Sequence, residues 1–252
     1  MTVARHFGAG VMIGTPAGSN QTPVEFGVLQ DISLDFSFTT KPLVGQFQLP
    51  VAVGRGVAKV TGKAKFAEMN GPVFSTLFFS SVTPVNGQDL WSYNEAGTIP
   101  TTPFTITVVN NTAWATDLGV KFASTGLPLT RVASAPATGQ YSVAAGVYTF
   151  AAADTGKAVL ISYQYTQTTS GSGSRFTITN PILGYAPTFQ IDFYQQNPNV
   201  QAPAGTWSFR LFSCISNKLS IGSKLEDWLI PEFDFEAFTN AANQLGTWNT
   251  AV

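Results

Sequence analysis

Apolar and polar residues alternate strictly along four segments of the chain. In the first of them apolar side chains stand mostly at even positions, and Asp or Ser occupies the odd positions from Asp31 to Ser37. A period of two is typical of a strand with one buried face and one hydrated face. The pattern therefore predicts four two-faced strands, at residues 28–38, 57–66, 188–195 and 206–214.

A short α-helix is predicted between the second and third of these strands. Pro72 suits a first helical turn, where its missing N–H would have no partner. An apolar helix face follows, formed by Val73, Phe74, Leu77 and Phe78. A face of this kind packs against a sheet.

The composition changes after Ser81. Residues 82–179 are rich in Thr, Ala, Gly and Val and carry little charge, and residues 168–174 read as a Ser/Gly linker. Short strands with turn residues between them indicate a small β-sandwich. They are expected at residues 104–109, 116–123, 130–133, 139–143, 147–150 and 158–165.

The predicted fold is mostly β, with an Ig-like β-sandwich inserted into a host domain. Residues 1–81 and 180–252 form the host, and residues 82–179 form the insertion. Insertion at a loop tip leaves a host fold intact, because the two ends of the inserted domain stay close together.

Charge is scarce. Charged residues make up 11% of the chain, against roughly 25% in an ordinary soluble domain. Two interpretations fit: a neutral, Thr/Ser-rich secreted β protein, or a subunit whose surface is covered by other copies. The net charge of −1, without a basic block, argues against binding nucleic acid through phosphate neutralisation. No secretory signal and no apolar run of about 20 residues is visible, so we expect a protein made in the cytoplasm.

No catalytic constellation emerges from the sequence. His6 is the only histidine, so a catalytic triad would depend on it alone. Glycines at positions 8, 10 and 14 are spaced nearly like those of a dinucleotide-binding loop, but no strand precedes them. We expect this region to be a flexible N-terminal arm. Cys214, the sole cysteine, lies in an apolar run and is expected to be a buried, inert thiol.

An acidic run near the C-terminus does not have metal-site spacing. Glu232, Asp234 and Glu236 alternate with Phe233 and Phe235, as in a strand with its aromatic side chains inward. A calcium loop needs a central Gly and closely spaced oxygen ligands. The chain is therefore predicted to be non-enzymatic, with no metal and no cofactor.

Three stretches together resemble the major tail tube proteins of long-tailed, siphovirus-type bacteriophages. They are residues 29–41 with 45–50, residues 62–66 with Asn70 and Gly71, and residues 218–227 with 230–238. The resemblance covers somewhat over half the chain, and its acidic-aromatic ending is the most specific part. Residues 140–156 are also similar to a β segment found in many phage virion proteins.

The resemblance implies a structural protein of the phage tail. Such subunits form hexameric rings that stack into a tube, and each lends strands to a continuous β-barrel around a lumen that conducts genomic DNA. The implied partners are the tape measure protein and transiting double-stranded DNA in the lumen, and the tail terminator and distal tail proteins at the tube ends. The implied location is the virion, with synthesis in the host cytoplasm and no membrane insertion.

The polar faces of the four predicted strands would line the lumen. They carry three acids and four bases, which departs from the acidic lumen associated with the family. The lumen candidates are Asp31, Ser33, Asp35, Lys59, Thr61, Lys63, Lys65, Gln190, Asp192, Ser208 and Arg210.

A Gly-flanked apolar segment between the first two strands is expected to form a long loop or hairpin arm that docks on a neighbouring subunit or ring. Its candidate contact residues are Phe47, Leu49, Pro50, Val51, Val53 and Arg55. The N-terminal arm to about Phe26 and the tail from Thr239 are weaker candidates for the same role. An inserted domain on the tube exterior would leave no room for a contractile sheath, which favours a non-contractile tail.

Two other classes of protein compete with this interpretation. Another structural virion protein, such as a minor tail or decoration subunit with an Ig-like domain, would share the insertion but not the interrupted host domain. A secreted binding module or glycan hydrolase predicts a signal peptide and paired carboxylates at a strand end, and neither is evident.

Overall fold

The computed structural model describes residues 8–68, 71–79, 85–169, 173–175, 177–178, 180–196 and 206–250. His6 therefore lies outside the described residues. The chain divides into two compact units: an outer unit of Met1–Pro84 with Phe176–Val252, and an inserted unit of Val85–Arg175. The inserted unit is a few residues shorter at each end than the expected 82–179. The expectation of a mostly β protein is confirmed, and most of its strand pairs are antiparallel.

Strands dominate both units. The outer unit contains β1 (Val11–Pro16), β2 (Val24–Glu25), β3 (Leu29–Val44), β4 (Pro50–Phe66) and the helical turns α1 (Gly71–Val73) and Phe74–Phe78. The inserted unit contains β5 (Val85–Asn86), β6 (Gln88–Thr98), β7 (Thr105–Thr107), β8 (Trp114–Phe122), β9 (Thr130–Arg131), β10 (Gln140–Ala144), β11 (Val147–Phe150), β12 (Ala158–Gln167) and β13 (Ser174–Arg175). Two 3₁₀ turns, at Asn111–Ala113 and Ala152–Asp154, lie among them. The outer unit then resumes with β14 (Thr188–Gln196), β15 (Thr206–Ser220), β16 (Glu232–Phe238) and β17 (Gly246–Thr250).

One sheet unites the two halves of the outer unit. Its strand order is β2-β1-β14-β15-β16-β4-β3, and β17 pairs with the part of β15 that β16 leaves free. Each of these pairs is antiparallel. β16 is the junction, because it pairs with β15 from the C-terminal half on one side and with β4 from the N-terminal half on the other.

The expectation of a flexible N-terminal arm is wrong from Gly8 onward. β1 pairs with β14 over six residues, and Met12 and Phe26 are fully buried. A Cβ added to Gly14 would lie 2.6 Å from a methyl carbon of Leu77 and 2.9 Å from the ring of Phe26. This glycine therefore serves close packing, and the resemblance to a dinucleotide-binding loop has no structural counterpart.

Phe233, on the junction strand β16, lies at the centre of the core of the outer unit. Its ring centroid is 5.3 Å from that of Phe26, 5.0 Å from Phe78 and 5.9 Å from Phe189. These partners come from the loop that follows β2, from the helical segment and from β14. Aromatic pairs at such spacings stabilise a core beyond the contribution of their buried area, so one side chain binds together four parts of the sequence.

The predicted helix is a single α-helical turn followed by a π-helical turn, not a longer α-helix. Val73 and Leu77 are fully buried and Phe78 packs against the same core. The side chain of Phe74 lies outside the described residues. The apolar face expected from the sequence thus covers the sheet, although the backbone is wound differently.

Gly62 on β4 makes room for a ring of the adjacent strand. A Cβ at this position would lie 2.1–2.7 Å from ring carbons of Phe235, its register partner on β16. The two strands can approach as they do only because no side chain stands there. Position 62 is therefore as much a part of the core as the buried phenylalanines.

The inserted unit packs two sheets around one core. The sheets have the orders β7-β11-β10-β9 and β6-β12-β8, and both contribute to a single buried cluster that includes Tyr148 and Tyr163. β9 and β10 pair in parallel. β6 is not among the strands predicted from the sequence. β5 pairs with β13, so the two ends of the insertion lie side by side.

A buried carboxylate organises the polar centre of this second core. Asp117 accepts hydrogen bonds from the hydroxyls of Tyr141 and Tyr148, at 2.7 and 3.0 Å. Burial, reinforced by this carboxylate, raises the pKa of both tyrosines. The hydroxyls therefore stay protonated and continue to donate to Asp117.

Gly62→Ala is predicted to destabilise the outer unit by about 1–3 kcal/mol, the usual cost of overpacking a core. The matched control is Gly54→Ala, whose added Cβ would meet only the Lys41 carbonyl at 3.8 Å. Urea unfolding followed by tryptophan fluorescence measures both. Equal stability of the two variants would contradict the assignment of Gly62 to the core.

Candidate functional site

The polar face of the outer sheet gathers the residues singled out in the sequence. All eleven lumen candidates lie on β3, β4, β14 and β15, and their strand neighbours, such as Leu34, Ala64 and Ile191, belong to the core. Because successive side chains point to opposite faces of a strand, the eleven share the face away from the core. We call it the hydrated face.

β16 contributes three acids to the hydrated face that the lumen list lacked. Glu232, Asp234 and Glu236 are half-buried, and Phe233, Phe235 and Ala237 between them are buried. The sequence had indicated a strand with this orientation, but it gave no register that would place the strand between β15 and β4. Lys218 on β15 joins the same face as the register partner of Asp234.

Ion pairs cross the hydrated face from strand to strand. Lys59 Nζ lies 3.1 Å from Glu236 Oε2, and Glu232 Oε1 lies 3.8 Å from Lys63 Nζ and 3.7 Å from Lys218 Nζ. Arg210 pairs with Asp192, which also accepts a 2.6 Å hydrogen bond from Gln190. Exposed pairs such as these contribute little to stability. Their effect is to neutralise the face locally.

The hydrated face is nearly neutral as a whole. Together, the eleven candidates and the added residues of β15 and β16 comprise six carboxylates and five cations. A shallow depression of about 520 Å³ lies on this face and includes Val11, Asp192, Ser208 and Arg210 in its lining. Among the described residues, two exposed aromatic side chains stand on the face, Tyr194 and Phe238.

β3 and β4 continue beyond the sheet as a two-stranded ribbon. The predicted strands covered residues 28–38 and 57–66, but pairing extends to Val44 opposite Pro50. Residues 39–56, which we call the projecting hairpin, are exposed throughout. Alternation fades here because neither face of the ribbon is buried by the described chain.

The projecting hairpin displays apolar side chains. Phe47 is 73% exposed and Leu49 80% exposed, and Val51 and Val53 are similarly open. All six arm candidates lie on it, and the Arg55 guanidinium stacks 3.9 Å from the centroid of Phe38. An exposed apolar surface of this kind is typical of a protein–protein contact.

Metal-ligating side chains and reactive thiols are the two kinds of chemical site at issue in the described residues. No group of three or more His, Cys, Asp or Glu side chains among them could hold a metal ion. Cys214 is fully buried, and burial raises the pKa of its thiol to about 12. Within the same part of the chain, no helix has the length and hydropathy needed to cross a bilayer.

No protein-family model matches the chain, and no curated protein matches it.

Cys214 is predicted to be unreactive in the folded protein. At pH 8 a thiol with so high a pKa carries almost no thiolate, so labelling by a disulfide reagent should be roughly a thousandfold slower than for an exposed thiol. The control is a Ser33→Cys, Cys214→Ser variant, which places the thiol on the exposed hydrated face. Fast labelling of the native protein would show that β15 is not packed as described.

Proposed function

We propose that this chain is the tail tube subunit of a long-tailed bacteriophage, assembling as stacked hexameric rings whose lumen conducts genomic DNA. The observation that carries the proposal is the outer sheet, which draws strands from both halves of the chain. One of its faces packs into an aromatic core, and the other is hydrated and nearly neutral. The resemblance of the same strands to tail tube proteins supports this interpretation.

The chemistry of the hydrated face suits a DNA conduit. A dense basic lining would hold phosphates and release counterions, which makes binding tight. Lysines paired with glutamates, as Lys59 is with Glu236, offer little free positive charge to the DNA. Aromatic platforms that stack bases are confined to Tyr194 and Phe238 among the described residues. In this proposal the hydrated face lines the lumen.

The open edges of the sheet also support assembly. Within the described chain the 16-residue strand β3 pairs only with β4, and β17 pairs only with β15. A long unpaired edge invites association with other chains, and a barrel closed across subunits removes such edges. The projecting hairpin, with its exposed apolar side chains, would be covered in the same assembly.

The inserted unit is proposed to be an Ig-like sandwich that decorates the tube exterior of a non-contractile tail. Two sheets of four and three strands around one core support that fold, although the parallel β9–β10 pair is a departure. The subunit would be made in the host cytoplasm and end in the virion. There it would meet the tape measure protein in the lumen and the terminator and distal proteins at the tube ends.

The purified protein is predicted to form rings or hollow tubes when concentrated, because a neutral surface with open edges favours self-association. Negative-stain microscopy and sedimentation velocity test this prediction. Compact monomers at all concentrations and salt conditions would contradict the proposed function and favour a decoration subunit.

Shortening the projecting hairpin is predicted to abolish tubes and leave a folded monomer. Replacing residues 41–54 by Asn-Gly joins Thr40 to Arg55, which are register partners, through a two-residue turn. Thermal unfolding should match that of the wild type, because the removed residues are exposed. Normal tubes from the shortened chain would show that the hairpin is not an assembly element.

A further inference from the structure

A second exposed apolar segment connects β15 to β16. In this segment, residues 221–229, Leu225 is 94% exposed and Trp228 85% exposed. Ile182 and Leu183, which precede β14, are exposed as well. Tryptophan is enriched at the energetic centres of protein interfaces, and apolar side chains clustered on a surface indicate an interaction site.

The register of the sheet places this segment and the projecting hairpin at opposite ends of the outer unit. Ser220 pairs with Glu232, so residues 221–229 leave the sheet at that end. Lys65, near the end of β4, pairs with Glu232 at the same end of the sheet. The projecting hairpin lies at the opposite end of β4, where that strand begins. Thr188 pairs with Ile215, so Ile182 and Leu183 precede β14 at the same end as residues 221–229. The two apolar surfaces therefore cannot meet within one subunit.

The two surfaces have opposite charge. Lys41 and Arg55 are the only charged residues of the projecting hairpin, whereas residues 221–229 carry Glu226 and Asp227 against the single base Lys224. In the described chain neither hairpin cation pairs with an acid, and neither loop acid pairs with a base. Complementary charge of this kind fixes the partner and register of an interface.

We infer that residues 221–229, with Ile182 and Leu183, are the surface that receives the projecting hairpin of the next copy of this chain. Two apolar side chains near the base of the hairpin, Leu43 and Val53, pack against Trp228 and Leu225. Lys41 and Arg55, at the same level of the ribbon, face Glu226 and Asp227. Because donor and acceptor surfaces differ, the contact is head-to-tail and each added copy presents a new acceptor. This inference rests on the proposed tube and gives its growth a direction.

Charge reversal at each end tests the pairing. A hairpin variant carries Lys41→Glu and Arg55→Glu, and a loop variant carries Glu226→Lys and Asp227→Lys. Each alone places like charges at the contact, which should raise the critical concentration for tube formation about tenfold or more. The critical concentration is measured by pelleting and negative-stain microscopy.

Two combinations should restore assembly. The quadruple variant again opposes unlike charges, with their positions exchanged. An equal mixture of the hairpin and loop variants also does so, because the reversed hairpin of one meets the reversed loop of the other. Restored tubes in both cases require that these two surfaces touch.

Lys224→Glu is the matched control. Like each substitution of the loop variant, it changes the charge of the loop by two units, but it makes the loop more acidic. Attraction to the basic hairpin is kept or strengthened, so tubes should form at an unchanged or lower critical concentration. The pairing would be overturned if the hairpin and loop variants assembled like the wild type, or if the quadruple variant stayed folded but did not assemble. Neither result would contradict the proposed tube. A wild-type protein that never assembles would reject the tube and the pairing together.

Discussion

The fold of the outer unit depends on how β16 joins the two ends of the chain. This strand carries Phe233 and Phe235 into the core, and its backbone pairs with β4 on one side and β15 on the other. Phe235 lies over Gly62, where any side chain would collide with the ring. An insertion of some ninety residues can interrupt the domain because this contact, rather than chain continuity, unites its halves.

The same strand determines the character of the hydrated face. Burial of Phe233 and Phe235 forces Glu232, Asp234 and Glu236 outward, since side chains alternate along a strand. Lysines on β4 and β15 flank these acids and pair with them. Aromatic packing on one face and a neutralised polar surface on the other are therefore two results of a single alternating sequence.

Sequence patterns predicted the two-faced strands well where one face is buried. Asp31 to Asp35 and Lys59 to Lys65 alternate with core residues, so their face could be assigned without coordinates. The strand at β16 was also recognisable, but its neighbours depend on long-range pairing that local periodicity does not encode. The near-neutrality of the face therefore emerged fully only with the register.

Other elements escaped prediction for different physical reasons. β1 is short and its one glycine, Gly14, packs against Leu77 and Phe26, so it resembles a flexible arm in sequence. The outer part of the β3–β4 ribbon lacks a buried face and therefore lacks alternation. The sequence contains Trp228 but does not show where it lies. Its location at the end of the sheet opposite the hairpin follows only from the strand pairing.

In the proposed tube, the hydrated faces of many copies bound one channel. A cryo-electron microscopy reconstruction of the assembled protein measures this directly. We expect Asp31, Lys63 and Glu232 on the wall of a continuous central channel, with the Phe233 core radially outside it. A reconstruction in which this face points to the outer solvent, or in which the β3–β4 and β14–β15 pairs lie in separate sheets, would contradict it.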